Sequence, residues 1–165
     1  MKGFAGLDPG SQGAFAVITE DRQLFTIRLS NVTEKELYEK MLALSFDYDL
    51  YCVMEHVWSQ PGEGVSSAFK FGEGIGMLRG FLIALQIPFE LTVPQKWQKA
   101  LSIPKREIKR GEDKKELPGS ETKTEFKRRL KQKAEQLFPT HKIVNENADA
   151  ILIASYCKML KTNTL

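Results

Sequence analysis

Three short apolar runs precede the first helical pattern in this chain: Phe4-Ala5-Gly6-Leu7-Asp8, Ala14–Thr19 and residues 24–29. Pro9-Gly10-Ser11-Gln12-Gly13 separates the first two, and Glu20-Asp21-Arg22 separates the second from the third. Runs this short, joined by turns this tight, predict strands that pair with their neighbours as an antiparallel meander. After Thr33 the period changes. Leu37, Met41, Leu42 and Leu44 then share one face of a helical pattern. Tyr51-Cys52-Val53-Met54-Glu55 follows as a nearly continuous apolar run, which suits a buried strand parallel to the first. A Gly-rich loop over 56–64 leads to a helix over 65–86, a strand over 88–93 and a short helix from Pro94 to about Leu101. An amphipathic helix runs from Thr122 or Thr124 to Phe138, before Pro139, and Asn145 caps a last helix from Glu146 to about Lys161. Strands first and alternating helix and strand later predict an α/β fold, a mixed sheet flanked by helices, in a single domain over 1–165.

Two segments depart from regular patterning. Gly72, Gly74, Gly76 and Gly80 each cost a helix about 1 kcal/mol relative to Ala, so their helix is expected to pack closely on the sheet or on another helix. Residues 102–121 are dense in Lys, Glu, Gly and Pro without apolar periodicity, and they read as a mobile basic loop.

Composition narrows the class. With 165 residues, 42% hydrophobic and 27% charged, the chain can bury about 70% of its unfolded surface without a disulfide or metal staple. Its longest stretch free of Lys, Arg, Asp and Glu, residues 9–19, is too short to span a membrane. An acid at Asp8 interrupts any signal-peptide core, and Cys52 and Cys157 both sit in apolar runs, as buried thiols in a reducing compartment do. The expected location is the cytoplasm.

Charge is unevenly placed. Residues 96–133 hold 14 Lys/Arg and 6 Asp/Glu, a net of +8, against 10 basic and 15 acidic residues, a net of −5, elsewhere. This fits an acidic site on one part of the molecule and a polyanion-binding surface on another; it also fits a solvated, charge-rich helix and loop.

Four carboxylates stand out. Asp8 closes the first strand and Glu55 closes the strand expected beside it, so both belong at the sheet edge where open α/β sheets bind ligands. Glu146 and Asp149, three apart at a helix start, project from one face. Acids brought together repel one another unless hard cations join them, and oxygen-only ligation selects Mg²⁺ or Mn²⁺ over zinc. Two such ions about 4 Å apart activate water and stabilise the leaving oxygen of a phosphodiester. Each acid also has a plainer role: Glu146 complements a helix dipole, and Asp8-Pro9-Gly10 is turn chemistry.

Gly6-Leu7-Asp8-Pro9-Gly10-Ser11, Met54-Glu55, Ala68-Phe69-Lys70-Phe71-Gly72-Glu73-Gly74-Ile75-Gly76 and Ala148-Asp149-Ala150-Ile151-Leu152-Ile153-Ala154, in this order over nearly the whole length, resemble the RuvC family of Holliday-junction resolvases. The resemblance implies a ribonuclease H-like fold, a homodimer built on the glycine-rich helix, and Mg²⁺-dependent nicking of opposed strands at four-way DNA junctions. Mn²⁺ is expected to substitute, and no organic cofactor or membrane is implied. Asp8, Glu55, Glu146 and Asp149 would be the metal ligands, with Lys123 as a catalytic lysine near the scissile phosphate. Another lysine is expected where this chain has Gln95-Lys96-Trp97-Gln98-Lys99; the ungapped match falls on Trp97, leaving Lys96 or Lys99 to serve. Trp58 would stack on a base, while Lys96, Lys99, Lys105, Arg106, Lys127 and Arg128 would contact DNA backbone. Glu146, where bacterial members usually carry Asp, and the insertion over 102–121 resemble the phage branch, which implies a host cytoplasm. Rival readings are a nuclease for RNA–DNA hybrids, a flap or Y-fork debranching nuclease, and a non-catalytic junction-binding protein.

Overall fold

A computed structural model describes residues 1–58, 64–111 and 116–162. Five strands form one sheet in the order β3-β2-β1-β4-β5, with β1 Lys2–Leu7, β2 Ala14–Thr19, β3 Leu24–Arg28, β4 Asp49–Glu55 and β5 Phe89–Thr92. Tight turns make β1, β2 and β3 an antiparallel meander. Helical crossovers make β4 parallel to β1 and β5 parallel to β4. These crossovers are α1 (Glu34–Asp47) and α2 (Val65–Ala84); α3 (Pro94–Ala100), α4 (Lys123–Leu137) and α5 (Asn145–Thr162) follow.

Alternation along the strands sorts side chains into two cores. Phe4, Ala14, Ala16, Ile18 and Val53 join Trp97 of α3, Leu130 of α4 and Ile151 of α5 on one face. Ala5, Leu7, Phe15, Val17, Cys52 and Met54 join Leu37 and Met41 of α1 and Leu78 and Leu82 of α2 on the other. α1 and α4 both begin with a capping box, Thr33 with Glu36 and Thr122 with Glu125. The α4 helix therefore starts from Thr122, not Thr124, and each cap contributes about 1 kcal/mol.

α5 is buried continuously from Asn147 to Cys157 because it lies flat on the centre of the sheet. Gly6 permits this: a Cβ there would stand 2.2 Å from the Ala154 nitrogen and 2.3 Å from the Ala150 carbonyl oxygen. The first turn of α5 is closed by Asn147, whose side chain accepts the Val144 N–H at 2.9 Å; the helix itself starts at Asn145, the residue expected to cap it.

One local expectation is altered. A Cβ at Gly72, Gly74, Gly76 or Gly80 would meet nothing within 4 Å, so these glycines pack on neither the sheet nor a helix of this chain. Within the segment 102–121, Glu121 donates its N–H to the Glu107 carbonyl at 2.8 Å, Leu117 to Lys109 at 2.9 Å, and Arg110 bridges Glu116. This makes an antiparallel arm, which Arg129 of α4 ties down through Glu121 and the Pro104 carbonyl. Residues 59–63 of the Gly-rich loop and 112–115 of the basic segment lie outside the described residues. No described helix is long and apolar enough to cross a membrane.

Candidate active site

Leu7 of β1 pairs with Met54 of β4 in the parallel register, so the next residues, Asp8 just past β1 and Glu55 at the end of β4, stand side by side at the sheet edge. Leu7 and Met54 belong to the α1–α2 core, and strand alternation turns Asp8 and Glu55 toward α5. There α5 supplies Asp149, only 5% exposed. The turn after β1 fixes Asp8 closely. Its Oδ1 accepts the Gly10 N–H at 3.1 Å, and its own N–H donates to the Ala14 carbonyl at 3.0 Å. Gly13 has no room for a side chain, because a Cβ would lie 2.2 Å from the Asp8 carbonyl oxygen.

Lys127 of α4 reaches into this acidic group, and its Nζ donates to Asp149 Oδ2. Glu55 is held from the other side: Trp97 Nε1 donates to Glu55 Oε1 at 2.9 Å. Burial, and then the Asp149 charge, push the Asp8 carboxyl above its usual range, against the Gly10 N–H and Lys127, which pull it down. Burial and the Asp8 charge push Glu55 up to about 7, only partly opposed by the Trp97 bond. Burial works against the Lys127 charge, yet the carboxylates of Asp149, Asp8 and Glu55 together hold its pKa above the ordinary lysine value.

The remaining expected residues lie around this group. Glu146 and Lys123 line an open cleft of about 550 Å³ together with Asp8, Gly10 and Lys127. Glu146 is half-buried, and the charges that act most strongly on Asp8 and Glu55 come from other residues. Lys96 and Lys99 are exposed on α3, and the ring between them turns inward instead. Trp58 is 56% exposed, with its ring centroid 4.5 Å from that of His56. It lines a second cleft with Pro9, Lys70 and Phe71, and Ser11 belongs to both clefts. Lys105 and Arg128 are exposed, whereas Arg106 is paired with Glu116 inside the arm.

As the side chains stand, no three His, Cys, Asp or Glu among the described residues form a metal-ligand set. The Lys127 ammonium takes the Asp149 carboxylate that such a set would need. The donor chemistry nevertheless fits a hard cation. Asp8, Glu55 and Asp149 offer only oxygens, a cation already stands among them, and the buried Asp149 Oδ1 has no hydrogen-bond partner.

Trp97, which stands where the resemblance implies a lysine, carries no charge, so no charge pattern points to its bond with Glu55. Its signal was positional: with Pro94 opening α3, residue 97 lies one turn in and faces the core, while 96 and 99 flank it outward. Lys127 was expected at DNA rather than among the acids. It lies one helical turn beyond Lys123 on the same face, closer to the sheet edge.

No protein-family model matches the chain, and none of the curated proteins matches it significantly in sequence. Solved structures do. Thermus thermophilus RuvC in complex with Holliday junction substrate aligns at 15% identity and a TM-score of 0.58, over 99% of this chain and 98% of that one. A second T. thermophilus RuvC structure aligns at 16% identity and a TM-score of 0.53, over 97% and 96%. At such identities the likeness is one of fold: this chain has the ribonuclease H-like architecture of RuvC, a five-stranded mixed sheet flanked by helices.

Proposed function

We propose that this protein is a divalent-metal-dependent endonuclease that resolves four-way DNA junctions, a RuvC-type enzyme of the phage branch. The observation that carries the reading is the convergence of Asp8, Glu55 and Asp149 around the Lys127 ammonium, at the sheet edge of a RuvC fold. Asp8, Glu55 and Asp149 would hold Mg²⁺ or Mn²⁺, with Glu146 on the cleft wall as the fourth carboxylate. Such an ion, when bound, would activate water and offset the negative charge on the phosphate and leaving oxygens.

The chain's own residues do the rest. The rigid turn from Asp8 to Gly13 keeps one carboxylate fixed while DNA enters the cleft. Lys123 and Lys127, on one face of α4, neutralise the scissile phosphate. Trp58 stacks on an unpaired base in the adjoining cleft. Lys96, Lys99, Lys105 and Arg128 hold junction arms through backbone phosphates, so recognition depends on branch shape and falls with salt. The homodimer forms through α2, which exposes Val65, Phe69 and Ile83 and whose glycines leave room for a second helix. A two-fold dimer then sets two sites against a two-fold junction.

Parallel digestion of four-way, flap, Y-fork and RNA–DNA hybrid substrates tests the reading. Preference for the four-way junction supports it; preference for the hybrid or flap overturns the substrate assignment. Binding without cutting would make the protein a junction-binding module.

A further inference from the structure

We infer that Trp97 is a positioning residue for Glu55: its indole N–H pins one carboxylate oxygen and leaves the other for a cation shared with Asp8 and Asp149. The inference rests on the metal-dependent reading above and specifies how one ligand of that site is oriented. Trp97 is only 1% exposed, and it sits in the core formed with Val53, Leu101, Ile103, Leu130 and Ile151, so its donor cannot swing. The bond to Glu55 Oε1 is 2.9 Å, ordinary for a charge-assisted N–H donor. Donor and acceptor are also tied through the backbone. Glu55 pairs with Thr92 in the sheet, Pro94 starts α3 two residues later, and Trp97 is one turn into that helix.

The choice of donor has an electrostatic consequence. An indole has no charge and only one N–H, so it satisfies one oxygen of a buried carboxylate without neutralising it. Of the described groups that act most strongly on Glu55, Asp8 and Asp149 are acidic, Trp97 is neutral and Lys127 is basic. The pocket therefore stays anionic, and its demand for a cation is kept. Trp97 is almost closed to solvent, so it acts through Glu55 rather than on DNA.

The test is titration of the DNA-free protein with MnCl₂, with free aqueous Mn²⁺ followed by electron paramagnetic resonance. Trp97→Phe removes the N–H, and replacement of Trp97 by 3-benzothienylalanine removes it while keeping the ring shape. Both are expected to weaken Mn²⁺ binding by about 10–100-fold, the usual cost of losing a partner that orients a ligand. In a Glu55→Ala background the same replacements should cause no further loss, and junction affinity in EDTA should not change. Unaltered Mn²⁺ affinity in the benzothienyl variant, whatever happens to its melting temperature, would overturn the inference and leave Trp97 as core packing. An equal loss with and without Glu55 would overturn it as well. If the wild-type protein itself takes up no Mn²⁺, the inference and the metal-dependent reading fall together.

Discussion

Burial and the Asp8 charge raise the Glu55 carboxyl from 4.5 to about 7, and this sets how the metal-free protein responds to pH. Between about pH 4.5 and 7 the folded chain keeps a proton that the unfolded chain has released. Stability contributed by that proton is present below pH 4.5 and is lost as pH rises through 7, a total of about 3 kcal/mol. Asp8 is shifted in the same direction and adds to the slope. Urea denaturation in EDTA across this window should show the fall, and Glu55→Gln should remove most of it. Stability that rises with pH in a Glu55-dependent way would contradict the assigned burial. The two lysines on the cleft face of α4 separate equally clearly. Lys127→Met leaves the buried Asp149 carboxylate without its cation and should cost about 1–3 kcal/mol at pH 8. Lys123→Met, on an exposed side chain, should change stability by no more than about 0.5 kcal/mol while still slowing cleavage. Thermal melts of the two variants decide it.

The contact between α5 and β1 decides whether the acids meet at all. Gly6→Ala drives a methyl group into the α5 backbone, which cannot yield as a flexible side chain could. A loss of about 3 kcal/mol, the upper end for overpacking, is expected by denaturation, with cleavage falling further because Asp149 is displaced. Gly76→Ala on α2 should do the opposite to the isolated chain, adding up to about 1 kcal/mol through helix propensity, while weakening self-association measured by sedimentation. These elements were legible in the sequence because period and punctuation agreed. The β2 strand, the helix start after Thr33 and the Pro94 helix start fall where the pattern places them, whereas β1 and β4 each begin two residues before their apolar runs. Asp8 and Glu55 could be seen to be neighbours because parallel strands end together. What stayed hidden depends on side chains meeting across elements. The Trp97–Glu55 bond spans 42 residues, and the Lys127–Asp149 pair spans 22. Neither is encoded in a local period. The arm within 102–121 was hidden for another reason: its order comes from backbone pairing and the Arg129–Glu121 pair, not from apolar spacing.

At the scale of the whole molecule, cleft lysines and exposed apolar side chains lie on different helices: Lys123 and Lys127 on α4, and Val65, Phe69 and Ile83 on α2. The basic segment supplies Lys123 and Lys127 to the cleft and exposes Lys99 and Lys105, so junction affinity should fall linearly on logarithmic axes with salt, and Lys99→Ala or Lys105→Ala should each reduce the slope by about 1. The exposed apolar face of α2 is expected to make the protein a dimer at micromolar concentration, and Phe69→Asp should leave a monomer that binds a junction but does not cut it in pairs. The most direct measurement is cleavage of a synthetic immobile four-way junction labelled on each strand in turn, with Mg²⁺, Mn²⁺ or EDTA, beside Asp8→Asn. Paired, symmetric nicks on opposed strands that require the metal and vanish in Asp8→Asn are the predicted result. Junction binding with no cleavage in either metal, or cleavage that persists in Asp8→Asn, would contradict the account.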